Sequence, residues 1–497
     1  MVRAIAARMA DTSGTPAPGV VVVGAGMTGL AVAQAIHRAR PDARLVVLDA
    51  RERPGGNIYT ERVDGFVLDA GPDSFVRTKP AALELCRELG LESSLIRTRE
   101  AARHVFVAHQ GQLVRLPAGM VLGVPTRVAP LMSTPLLTAR GKLRVLAEPL
   151  VPRRLSDDDE SVEDFLSRRL GNEAATKLAA PLLGGIYAGD VRTLGIQATF
   201  PELAAFEHHY GSILRGLMVR ERGGGVSPSN RELFSWLRRE ETRAESPFLS
   251  LRGGMGALID ALTQTLPPGA LRTGARVTSI QRRARGFAVL TADDSFDATS
   301  VVLATPAHFA SRVVPDGRLA AELADVTFVS TATVFFALDR SEVRHSLEGL
   351  GFIVPAGEAR ILASTWISSK WDERAPPGGA LVRAFVGGVR DPDRVEKSTD
   401  DELVELARGE LERLMGSLGR PRFTRVYRYE NANPQPTVNH RARLSRIDAR
   451  LETLPGLHLV GASYDGVGIP DCVRQARRCA SAVVAELEAS RDVGVLG

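Results

Sequence analysis

The run Val20-Val21-Val22-Val23, followed at once by Gly24-Ala25-Gly26-Met27-Thr28-Gly29, constrains this chain more than any other stretch. Consecutive β-branched residues favour a strand buried on both faces, as in a parallel sheet. Leu30, Ala31, Ala35 and Ile36 then recur at helical spacing, and a second apolar run, Leu45-Val46-Val47-Leu48, ends in Asp49. Strand, glycine turn, helix, strand and acid together make a dinucleotide-binding unit. Gly24 permits the tight turn, Gly26 lets backbone approach a pyrophosphate, and Gly29 lets helix and strand pack closely. The helix start at Met27 and Thr28 offers free N–H groups and the positive end of a dipole to an anion. Asp49 is placed to accept hydrogen bonds from ribose hydroxyls and would repel a 2′-phosphate, which disfavours NADP.

A chain of 497 residues has room for about three domain-sized units and needs no disulfide or structural metal to hold a core. With 44% hydrophobic and 24% charged residues it is not disordered, collagen-like or coiled coil. The net charge of +5 is too dilute to imply nucleic-acid binding, although it favours anionic small molecules or an anionic membrane surface. Cys86, Cys472 and Cys479 are the only cysteines, without a Cys-x-x-Cys pair, which fits a reducing compartment and argues against a zinc site. Residues 1–18 read as a disordered tail lacking the apolar core of a secretion signal. No window is long and apolar enough for a transmembrane helix.

Further segments belong to the same nucleotide unit. Arg53-Pro54-Gly55-Gly56 and Gly71-Pro72-Asp73-Ser74-Phe75 follow the acid, and the second glycine pair resembles the extension of FAD enzymes of the amine oxidase-like superfamily, where the loop runs along the ribityl–pyrophosphate. Near the C-terminus, Leu457-His458-Leu459-Val460-Gly461 reads as a buried strand leading through Val467, Gly468 and Ile469 to a helix from Val473 to about Glu488. Val277 suits a backbone contact to adenine, and Val301-Val302-Leu303-Ala304-Thr305-Pro306 reads as another strand and turn of this unit. The FAD-binding domain is therefore expected to be discontinuous.

Ser161 and Asp164 fit a capping box opening a helix with Val162, Phe165, Leu166 and Leu170 on one face, and the acidic run Asp157–Glu160 suits its N-terminus better than a metal site. Leu116–Leu150, apolar with Arg127, Arg140, Lys142 and Arg144 interspersed, has two compatible readings: a buried helical subdomain, or an apolar channel lip touching a membrane with its basic residues on anionic headgroups. Arg222–Pro247 reads as a loop next to a polar helix.

Taken with Glu160–Phe165, Pro181-Leu182-Leu183-Gly184-Gly185-Ile186-Tyr187-Ala188-Gly189-Asp190, Gly351–Pro355, Phe385-Val386-Gly387-Gly388 and Gly466–Cys472, these motifs make the chain similar to the oxygen-dependent, FAD-containing protoporphyrinogen oxidases, from about Val20 to Glu488. The resemblance implies a six-electron oxidation of protoporphyrinogen IX to protoporphyrin IX in haem biosynthesis, with oxygen reoxidising the flavin and giving peroxide. It implies that Arg103 pairs with a substrate propionate, where an ordinary surface arginine is the plainer reading. It implies that Gly185 turns its carbonyl to the reacting methylene, that Ile353, Trp366 and Phe385 hold the pyrrole rings, and that Asp73 lies near the flavin. Coproporphyrinogen III oxidation is the near alternative, another flavin amine oxidase or desaturase the more distant one. Ala476, where the family has a glycine, and Asn433-Pro434-Gln435-Pro436 depart from the family's pattern.

No nucleophile, triad or metal spacing is present, as expected where a flavin carries the chemistry. The expected architecture is α/β: a discontinuous Rossmann-type FAD domain (19–90, 250–310 and 440–490), a helical membrane-contacting or channel domain (91–220) and a mixed-sheet substrate domain (311–439). The expected location is cytoplasmic, peripheral on the inner face of the cell membrane. The resemblance leaves room for hand-off to ferrochelatase and for a homodimer.

Overall fold

The computed structural model describes residues 19–102, 104–238 and 247–495. The expected tail, residues 1–18, lies outside them, as does the end of the charged segment 222–247.

The valine run forms strand Gly19–Val23, buried along its whole length. It pairs in parallel with Arg44–Leu48 on one side and Ser300–Leu303 on the other. Leu271–Arg272 and Leu457–Leu459 complete a five-stranded parallel sheet built from three distant parts of the chain. Side chains alternate along the strand. Val20 and Val22 pack with helices Met27–Ala39 and Ile469–Val495, whereas Val21 and Val23 pack with Ala307–Val313 and Gly317–Ala324. The C-terminal helix begins at Ile469, not at Val473 as expected. Pro470 falls in its first turn, where a missing N–H leaves no hydrogen bond unmade.

A seven-stranded mixed sheet forms the second layer, in the order Phe423–Gln435, Thr327–Asp339, Gly379–Gly387, Ile361–Trp366, Gly351–Ile353, Val105–His109 and Gln112–Arg115. The hairpin Val105–Arg115, placed by the sequence reading among the helices of 91–220, belongs to this sheet through parallel pairing of Gly351–Ile353 with Val105–Val107. One face buries Val334, Phe336, Val382 and Val386 against helix Asp400–Met415. The other face turns toward the nucleotide half, where Thr333 Oγ1 donates to Ala70 O at 3.0 Å.

Helices between residues 128 and 237 make a third layer around Phe165, Leu166, Leu183 and Trp236. Ser161 caps helix Val162–Leu170, its Oγ accepting from Asp164 N at 3.0 Å, and the expected apolar face is buried. Of the acidic run before it, Asp159 accepts from Gln197 N and Asn439 N, while Glu160 pairs with Arg168. Within the basic segment, Arg127 is buried against Glu221 and the Trp236 ring rather than facing outward. Arg144 donates to the carbonyls of Arg168 and Arg169 at a helix end, where four carbonyls lack helical partners.

Buried ions join the first two layers. Arg374 pairs with Asp69 at 3.0 Å, and Asp73 receives Lys370 at 2.9 Å and Arg383 at 3.4 Å. Trp371 Nε1 adds a hydrogen bond to Asp73 at 3.2 Å. Burial alone would raise the Asp73 carboxyl, but Lys370 and Arg383 outweigh it and hold it well below the usual carboxylate range. A depressed folded-state pKa contributes stability that is complete above the unfolded value, near pH 4, and is lost as pH falls through the folded one. Asp73→Asn, which strands two buried cations, should cost about 3–5 kcal/mol at pH 7 and flatten the acid limb of a stability–pH profile measured by chemical denaturation. An unchanged profile would show that these ions do not join the layers.

Candidate functional site

The glycine turn shows which close approaches need glycine. Gly24 has φ +103°, and its N–H donates to Leu48 O at 2.7 Å. A Cβ on Gly29 would stand 1.9 Å from Gly24 O, so helix and strand tolerate no side chain there. Gly26 differs, because its Cβ would meet nothing closer than Gly56 Cα at 3.9 Å. Gly55 N donates to Ala25 O at 2.7 Å and seats the second glycine pair opposite the first. Gly26 and Gly56 thus pack backbone to backbone, a Cβ on Gly56 standing 3.1 Å from Gly26 Cα, and leave a surface without side chains at the N-terminus of helix Met27–Ala39.

Charges around this glycine surface fit an anionic dinucleotide. Asp49 accepts from Ala25 N at 2.7 Å and Arg51 N at 2.8 Å, which fixes its carboxylate and leaves lone pairs for ribose hydroxyls. Arg51 and Arg53 both donate to Gly56 O, at 2.8 and 3.3 Å, and Arg53 stacks on the Tyr59 ring at 4.4 Å. Burial, helped by Arg51, pushes the Arg53 guanidinium below its usual range, a cost that a neighbouring diphosphate would offset. Ala275 N donates to Asp49 O at 2.8 Å and brings buried Val277 to the same end. Thr305 Oγ1 is buried with no protein partner, beside Gly24, as a ligand-binding hydroxyl would be. At the far side Gly461, φ +128°, comes within a Cβ's 4.0 Å of Thr28 Oγ1, so the C-terminal strand closes the cradle. Gly468 O then accepts from Cys472 N at 3.0 Å as the helix from Ile469 starts. Gly71 is forced by Asn57 O, 2.0 Å from where its Cβ would be, and leaves Pro72 exposed. These residues fit FAD.

Beside the cradle, Ile353 and Phe385 lie in one row of the long sheet, each in register with Ala363, on the face toward the nucleotide half. Trp366 is a correction. It is in register with Val382, alternates to the opposite face, and packs fully buried against Phe106, Phe352 and His345. Asp73 is likewise committed to the buried ion cluster, with both carboxylate oxygens on Lys370. Arg103 lies outside the described residues.

Helix Ala180–Tyr187 ends over this row. It follows a single π-helical turn, Ala175–Ala179, and stops at Ala188 in the left-handed region, φ +49°. Ala188 O accepts from Val389 N at 3.0 Å, and Tyr187 O from Gln435 Nε2 at 2.9 Å, so the turn after one strand of the long sheet and the end of another fasten the helix end. Gly185 is exposed, and its Cβ would meet nothing within 4 Å. Val467, from the C-terminal glycine loop, and Ile353 both pack on the helical layer. Gly185, Ile353 and Val467 thus gather where the helical layer meets the long sheet, with Phe385 in the Ile353 row, and this junction is the candidate substrate crevice. The strained Ala188, the π turn and the Gln435 tie carry no recognisable local pattern; Arg51, two residues after Asp49 and two before Arg53, did offer a sequence signal.

The profile of the flavin containing amine oxidoreductases matches residues 27–484. Coproporphyrinogen III oxidase of Bacillus subtilis is 31% identical over 470 residues, spanning 93% of this chain and 97% of that protein. Protoporphyrinogen oxidase of Bos taurus is 32% identical over 489 residues, spanning 94% and 98%. A crystal structure of a candidate protoporphyrinogen oxidase from Exiguobacterium sp. 255-15 superimposes with TM-score 0.82 at 33% identity, covering 95% of this chain and 100% of that one.

The two glycines predict separable defects. Gly29→Ala should abolish folding or lower the melting temperature sharply, through the clash with Gly24 O. Gly26→Ala should melt as wild type when stripped of cofactor yet purify with a several-fold lower ratio of flavin to protein absorbance. Full flavin content in Gly26→Ala would place the cofactor elsewhere.

Proposed function

The chain belongs to the protoporphyrinogen and coproporphyrinogen oxidases of the flavin-containing amine oxidoreductase family, and from that premise we propose that it oxidises protoporphyrinogen IX to protoporphyrin IX with molecular oxygen as the final acceptor. The observation that carries this reading is the open, side-chain-free face of Gly185 above the Ile353–Phe385 row, in a crevice that adjoins the FAD cradle. FAD, when bound, supplies the redox chemistry, taking electrons from the tetrapyrrole in pairs and passing them to oxygen. The protein positions the substrate. Ile353, Phe385 and Val467 offer an apolar wall to a flat macrocycle, and Gly185 lets it approach backbone. The cysteines take no part: burial pushes Cys86 and Cys479 up to about 12 and raises Cys472, so all three stay protonated packing groups.

Coproporphyrinogen III is the second reading. It is favoured by relatives of that name in Bacillus subtilis, Staphylococcus aureus and Propionibacterium freudenreichii, at 31–34% identity over nearly the whole chain. The purified protein, supplied with each porphyrinogen separately under air, should give porphyrin fluorescence and peroxide, faster with protoporphyrinogen IX. Faster turnover of coproporphyrinogen III would select the second reading, and no turnover of either would end both. Gly185→Leu, whose side chain enters open space, should lower kcat/KM at least ten-fold without moving the melting temperature.

We also propose peripheral attachment at the inner face of the cell membrane, where product could pass to ferrochelatase. Among the described residues no helix is long and apolar enough to cross a membrane. Met132, Leu143, Leu150 and Leu155 nevertheless stand 45%, 63%, 74% and 85% exposed, beside Arg140. The pair Leu143→Asp and Leu150→Asp should leave turnover of a dispersed substrate intact and abolish co-sedimentation with anionic vesicles. Undiminished sedimentation would remove this surface from membrane contact.

A further inference from the structure

Among the described residues, the cations near the crevice are almost all committed. Arg383 donates to Asp69 O and Gly71 O, Arg374 pairs with Asp69, Arg192 is bound to Asp190, and Lys79 holds Asp471 at 2.7 Å. Arg390 is the exception. It follows Val389, whose N–H fastens the Ala188 carbonyl, and a Cβ on Gly388 would sit 2.6 Å from that same oxygen. Arg390 is thereby fixed at the end of the helix that carries Gly185. Its Nη1 donates to Val354 O at 2.6 Å, next to Ile353, which pins the side chain across the strand ends. A guanidinium has five N–H donors. Among the described residues the other four donate to no protein acceptor and no carboxylate lies within ion-pair distance; Asp190, the nearest acid to act on Arg390, is bound to Arg192. Ile186 and Val389, 55% and 37% exposed, flank the same rim. A pinned, uncommitted guanidinium between exposed apolar side chains suits a ligand that is apolar in its body and carries a carboxylate at its edge.

We propose that Arg390 binds a propionate of the porphyrinogen and so sets how the macrocycle lies over Gly185. The assignment rests on the porphyrinogen reading given above. Arg390 acts in binding and not in the redox step, so its loss falls on KM and not on kcat.

The test uses the FAD-loaded protein and three variants: Arg390→Ala, Arg390→Gln, which keeps a donor for Val354 O without the charge, and Arg283→Ala, an exposed arginine in the nucleotide half, as a control for surface charge. Flavin absorbance and melting temperature report the fold. Binding of coproporphyrin III is read by fluorescence, and KM and kcat are measured on both porphyrinogens and on the methyl ester of coproporphyrinogen III, which has no carboxylate. Both Arg390 variants should raise KM for the free acids about 10–100-fold, with kcat within a few-fold and the ester unaffected, while Arg283→Ala changes nothing. Unchanged KM for the acids, an equal rise for the ester, or the same rise in Arg283→Ala would overturn the assignment. If the wild type bound coproporphyrin III in an Arg390-dependent way but oxidised neither porphyrinogen, the anchor would stand and the proposed reaction would fall. A wild type binding no porphyrin would overturn both.

Discussion

The two sheets meet through charge. Asp69 and Asp73 on the nucleotide side, and Lys370, Arg374 and Arg383 on the substrate side, are all less than about a tenth exposed, and each ion has its counter-ion across the junction. A buried pair gains little over an apolar contact, whereas a buried ion without its partner is costly. The cluster therefore acts less as glue than as a register. The sheets can dock in the arrangement that pairs every charge, and a shifted docking strands several. Arg383 extends this control to the cofactor loop, since it holds the carbonyls of Asp69 and Gly71 while its neighbour Phe385 lines the crevice.

From that docking follows the division of labour. The cradle is assembled by backbone: facing glycines, a helix start, a fixed acid and a returning C-terminal strand. The crevice is assembled where the helical layer reaches across and is tied down by Gln435 and Val389. The order in sequence is unimportant to either, which is why residues 20–56, 275–305 and 461–469 meet at one end of the parallel sheet. The fold itself is common ground with putrescine oxidase, which superimposes with TM-score 0.65 at 18% identity.

The glycine turn was legible in the sequence because its first and last glycines answer local steric demands, as Gly29 against Gly24 O shows. The capped helix at Ser161 was legible for the same reason, a cap being a four-residue event. Trp366 was misread because strand alternation depends on register, and register depends on neighbours far along the chain. The hairpin Val105–Arg115 was misplaced because its partner, Gly351–Ile353, is two hundred and more residues away. Arg127 looked like a surface cation until Glu221 and Trp236 closed over it. Arg390 had no signal at all, since an arginine becomes notable only when its neighbours' pairings are known. Composition could not foresee such committed and uncommitted cations; the total charge counts them alike.

The central claim is that a porphyrinogen in the crevice delivers electrons to FAD in the cradle. Anaerobic mixing of the purified yellow protein with protoporphyrinogen IX or coproporphyrinogen III, followed by the flavin absorbance, tests this most directly. The account predicts bleaching of the flavin by at least one of them, appearance of porphyrin, and return of the colour on admitting air. A flavin that stays oxidised with both, in protein that binds FAD fully, would contradict it.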